Sequence, residues 1–104
     1  MTPPAEHELV REGGRVVTVG FDEHDNLVFT GQDLGAYVEE VFGDSEYEFW
    51  YTVPAERIAE FAALVGIDPS EPIAGLLARW KGDERFAELQ RRMRATGWVR
   101  FTCW

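Results

Sequence analysis

Five carboxylates crowd one stretch of the chain: Glu39, Glu40, Asp44, Glu46 and Glu48. Converging on one point, such groups would make an oxygen-ligated cation site or a general acid/base pair. Strand alternation sends Glu46 and Glu48 to one face, yet no glycine-punctuated spacing of a calcium loop surrounds them, so the expectation is a solvated acidic surface. His7 and His24 have no HxxxH or HxH partner and read as surface residues. Cys103, the one cysteine, alternates with Val99 and Phe101 and has no signature of a nearby base; it is expected as a small core hydrophobe. The segment Gly31-Gln-Asp-Leu-Gly35 is too acidic and too poor in glycine to cradle a phosphate, and its expected role is a turn and helix cap. Taken together these residues predict no catalytic group, no metal site and no cofactor, and the chain reads as a non-enzyme.

The aromatic residues suggest binding instead. The chain holds 4 Trp, 3 Tyr and 7 Phe in 104 residues, more than so small a core can take at its centre. If Phe49, Tyr51, Val99 and Phe101 face the helices, Trp50 decorates the other side of the sheet, together with Trp98 and Trp104. With Asp44, Glu46 and Glu48 around them, Trp50 and Trp98 would form an aromatic centre with an acidic rim, a composition suited to a basic protein partner. The candidate partner-binding residues are therefore Asp44, Glu46, Glu48, Trp50, Glu39 and Glu40.

The charge balance supports that direction. The formal charge is −9 and the computed pI about 4.6, which excludes a general nucleic-acid binder because phosphate contact requires a basic surface. The acidity is also localised. Residues 1–60 carry 14 acidic side chains against three arginines, a net of −11, and residues 61–104 carry five against seven basic ones, a net of +2. No apolar stretch approaches the roughly 18 residues of a membrane span, and residues 1–8 lack the basic and apolar regions of a signal peptide. A cytoplasmic location is the expectation.

These residues need elements to position them. The β-branched run Arg15–Phe21 predicts a strand, Gly13-Gly14 a hairpin turn from a strand over His7–Arg11, and Asp22–Asn26 a second turn into a strand over Leu27–Thr30. Thr30 and Asp33 have capping-box spacing, and Leu34, Tyr37, Val38 and Val41 predict a short helix ending at Gly43. Tyr47–Val53 predicts a central strand with Tyr47, Phe49, Tyr51 and Val53 on one face and Glu48, Trp50 and Thr52 on the other. Pro54 opens a helix with the stripe Ile58, Phe61, Ala62 and Val65. A third helix buries Ile73, Leu76, Leu77 and Trp80, and a fourth, capped by Asp83, turns Phe86, Leu89 and Met93 inward. Trp98–Trp104 is expected as a final strand, partnered by Tyr47–Val53. The fold class expected is α+β: one domain over residues 1–104 with a loose start at 1–5, a mostly antiparallel sheet of four to five strands, and about four helices on one face.

The wording Gly31-Gln-Asp-Leu-Gly35, Val38-Glu-Glu40 and Phe42-Gly-Asp-Ser-Glu-Tyr-Glu-Phe-Trp-Tyr-Thr-Val53 resembles a group of small, acidic actinobacterial proteins. In size, acidity and α+β pattern the group is similar to the immunity proteins of bacterial toxin systems, which block a nuclease or deaminase toxin. That resemblance implies a protein partner with a basic, nucleic-acid-targeting cleft, and it rests on analogy of fold and charge. The alternative is a small-molecule-binding or regulatory domain with a pocket between helices and aromatic strands. A third reading is self-association through an exposed final strand.

Overall fold

The computed structural model describes residues 7–33 and 47–103. Five strands form one sheet in sequence order: β1 (His7–Glu12), β2 (Arg15–Phe21), β3 (Leu27–Asp33), β4 (Tyr47–Val53) and β5 (Arg100–Cys103). Every neighbouring pair is antiparallel. Between β4 and β5 lie a 3-10 turn (Ala55–Arg57) and three helices, α1 (Ile58–Val65), α2 (Pro72–Arg79) and α3 (Asp83–Thr96). The expected α+β architecture is present. Three α-helices stand among the described residues where about four were expected; the helix read over Leu34–Val41 lies outside them.

The local chemistry explains most of these elements. Gly13 and Gly14 both have positive φ, 56° and 84°, the conformation of a two-residue hairpin turn whose twist matches its strands. The β2–β3 turn is built on the Asp22 carboxylate, which accepts from the His24 and Asn26 backbone N–H groups at 2.8 and 3.0 Å and from Asn26 Nδ2 at 3.0 Å. Asn26 in turn accepts the Ala55 N–H on Oδ1 at 2.9 Å, tying this turn to the entry of the helical region. Gly66 and Gly97 end α1 and α3 in the left-handed conformation.

Burial places the helices on one face. Leu9, Val17, Val19, Leu27, Phe29 and Val53 of the sheet are fully buried, as are Phe61 of α1, Leu76 of α2 and Phe86, Leu89 and Met93 of α3. The layer between is filled with rings: Phe29 meets Phe61 edge-on at 6.1 Å, and Phe86 stacks on Phe49 at 6.3 Å. The predicted inward stripes of α1 and α3 match this core, and β4 is central with β5 beside it, also as expected.

Several expectations are corrected. The strand read as Leu27–Thr30 continues to Asp33, so Thr30 is no helix cap and Gly31 is no turn. Gly31 instead sits opposite Phe49, whose ring lies against its backbone; a Cβ there would fall 2.0 Å from Phe49 Cζ. Asp83 is the first residue of α3 rather than its side-chain cap: its N–H is capped across the molecule by the Glu12 carboxylate at 3.0 Å. Cys103 is exposed. Its register opposite Phe49 does put it on the helix-facing side, but the helices do not reach over the end of β5.

Candidate functional site

The sheet register assembles the candidate site from the backbone up. On the face opposite the helices, Thr18, Thr30, Trp50 and Thr102 are successive partners across β2 to β5, forming one row. Beside it, Val16, Gln32 and Glu48 form a second row and Val28, Thr52 and Arg100 a third. Trp50 thus sits mid-sheet with its neighbours in place through main-chain pairing, which fixes side-chain direction because the strand period is two. The expected separation of Glu48, Trp50 and Thr52 from Phe49, Tyr51 and Val53 is what the structure contains.

Trp50 and Glu48 are half-buried, as are Thr18, Thr30, Gln32 and Thr52. Gln32 Nε2 donates to Glu48 Oε1 at 3.3 Å, which holds the carboxylate on the row adjoining Trp50. At the β1 margin of the same face, Arg11 pairs with Glu8 at 2.9 Å. The hydrogen bond from Arg11 is the main reason the Glu8 carboxyl lies below its ordinary range, and the Arg11 guanidinium is correspondingly raised. That margin is locally neutral, and Arg100 makes the β5 margin positive.

Of the six candidate residues, the structure brings Glu48 and Trp50 together on one face. Asp44, Glu46, Glu39 and Glu40 lie outside the described residues, as does Trp104. Trp98 does not join Trp50. It precedes β5, packs against the core on the helix side, and carries the Arg57 guanidinium over its ring at 5.5 Å. Two tryptophans that alternation grouped are therefore on opposite sides of the sheet. His7 and His24 are exposed, as read from the sequence. Among the described residues no three or more His, Cys, Asp or Glu side chains converge as a metal site, and no helix is long and apolar enough to cross a membrane.

A second set of polar groups went unread in the sequence. The buried Tyr51 hydroxyl accepts from Gln90 Nε2 at 3.1 Å and from Arg94 Nε at 3.0 Å. The Arg94 guanidinium also covers the Phe101 ring at 5.1 Å, and Phe101 stands 4.8 Å from the Tyr51 ring. On the other flank of α3, Arg92 lies over Trp80 at 5.1 Å and donates to the Leu64 carbonyl at 3.0 Å, while Trp80 Nε1 donates to the Val65 carbonyl at 2.9 Å. The signal was the arginine density of residues 91–94, but only the fold tells which of these cations are bound to carbonyls and rings. Among the described residues, one shallow depression is lined by Phe21, Ala55, Ile58 and Pro69 and another by Glu12, Arg15 and Asp83. Comparison with protein-family models, with curated proteins and with solved structures found no match.

Proposed function

We propose that the chain is a non-enzymatic, immunity-type inhibitor that binds the basic cleft of a nucleic-acid-targeting bacterial toxin through an acidic, aromatic surface. One observation carries the reading. Trp50 stands mid-sheet beside Glu48 on the face away from the described helices, within a stretch of sequence whose net charge is −11 over residues 1–60. A toxin that holds a phosphate backbone has a cleft of lysines and arginines, and carboxylates around an aromatic anchor occupy it as a substrate mimic, the charge speeding encounter and the ring prolonging residence. Asp44, Glu46, Glu39 and Glu40 complete the proposed surface with Glu48 and Trp50.

Co-expression with a toxin domain encoded beside this chain is the test. Rescue of growth and co-purification of the two chains are the outcomes expected. Growth arrest unchanged by the chain, with no co-purification, contradicts the proposal.

A further inference from the structure

The two edges of the sheet are finished differently. At β1 the register breaks in a bulge between Glu8 and Val10, and the Leu9 carbonyl is taken by the Gly82 N–H at 3.0 Å. Bulges, charges and a covering loop are the devices that stop a strand edge from recruiting another chain. β5, four residues long, has neither a bulge nor a covering loop among the described residues, and its one charged side chain is Arg100. All four of its residues, Arg100 to Cys103, are exposed, and among the described residues its main chain is paired on the β4 side only. In an antiparallel ladder the N–H and C=O groups of alternate residues point away from the existing partner, and here they face outward.

The side chains along this edge have one chemistry. Phe101 is 41% exposed although it faces the helix side, because α3 ends its cover short of β5. Arg94 flanks the ring from the helix side, and Arg100 projects from the opposite face, opposite Thr52. Arg94 spends its Nε on Tyr51, and neither it nor Arg100 has a carboxylate partner among the described residues. An extended segment laid along β5 would meet outward backbone groups, an apolar step at Phe101 and a guanidinium on each face.

We infer that the β5 edge is a docking site for an acidic extended peptide segment of a protein partner, which adds as a sixth strand with an apolar residue over Phe101 and carboxylates on Arg94 and Arg100. A second copy of this chain is disfavoured as occupant, since two-fold pairing of β5 brings Arg94 and Arg100 of both copies to one seam. The site adjoins the Trp50 face, since Arg100 projects onto it and Thr102 pairs with Trp50, but it is opposite in charge and is centred on Phe101 and Arg94 of the helix side, so its test does not depend on the toxin-inhibitor reading.

The probe is a capped ten-residue peptide of alternating Glu and Val, titrated into isotope-labelled protein at low salt, with a Lys/Val peptide as control. The expected result is amide shifts confined to β5, Arg94 and their neighbours, weakened roughly five- to tenfold by Arg94→Ala with Arg100→Ala, because two exposed ion pairs are lost. Since the Arg94 change also removes a bond to Tyr51, Arg100→Glu alone, remote from the core, is expected to weaken the acidic peptide with the melting temperature unchanged. Shifts centred on the Trp50 face, equal binding of the Lys/Val peptide, or no shift with either peptide overturn the inference. So does a doubled solution mass whose interface maps to β5.

Discussion

Single side chains in this protein divide between those that hold the fold and those free to act outside it, and the two kinds are separable by substitution. Tyr51 is 1% exposed and its hydroxyl accepts two hydrogen bonds. Tyr51→Phe keeps the rings and loses those bonds, which predicts a cost of about 1 kcal/mol. Tyr51→Ala empties a ring-sized volume and is expected to cost about 3–5 kcal/mol by urea unfolding. Gly31→Val is predicted to cost more than about 2 kcal/mol, since its Cβ would lie 2.0 Å from a Phe49 ring that is itself wedged against Phe86. Trp50→Ala, by contrast, removes a half-buried side chain on the face away from the core, so its effect should appear in partner binding far more than in stability. At this scale the sequence was readable for side-chain direction and unreadable for cover. Alternation placed Trp50 correctly, but it could not show that Trp98 precedes the strand, nor that the helices leave Cys103 and Phe101 open.

Elements in this fold are held by bonds between residues far apart in sequence, which is where reading from local pattern ran out. The stripes of α1 and α3 are periodic and local, and they were legible. Gly-Gln-Asp after Thr30 looks like a turn, and only Phe49 across the sheet explains why β3 continues to Asp33. The N-terminus of α3 looks self-capped, whereas the cap is Glu12, 71 residues earlier. Glu12→Ala is therefore predicted to cost about 0.5–1 kcal/mol and to fray the first turn of α3 in amide exchange. The β2–β3 turn makes a prediction for pH. Desolvation is the largest single influence on the Asp22 carboxyl and pushes it up, but the hydrogen bonds from Asn26 and His24 together outweigh it and leave the group below its ordinary 3.8. A carboxylate lowered in the folded state contributes stability that is complete above its unfolded value and is lost as pH falls through the lower folded one. Amide protection at His24 and Asn26 should thus hold constant above about pH 5 and decline below 3.8. Asp22→Asn should remove that dependence.

The whole molecule is polarised along its chain, with a net of −11 over residues 1–60 and +2 over residues 61–104. Self-repulsion of this kind weakens the compact state, so added salt should raise the melting temperature while slowing association with a basic partner. A fold effect and a binding effect of opposite sign from one reagent separate the two uses of the same charge. Part of the basic remainder is built into the fold: Arg92 and Arg79 donate to carbonyls at the end of α1, and Arg85 donates to the Arg79 carbonyl. The proposed toxin-binding surface draws instead on the acidity near Trp50. The most direct measurement of that claim is growth protection against the toxin domain by Trp50→Ala and Glu48→Lys, each paired with its melting temperature. Loss of protection with melting temperatures within a few degrees of the unsubstituted protein is the predicted result. Full protection by both variants would contradict it.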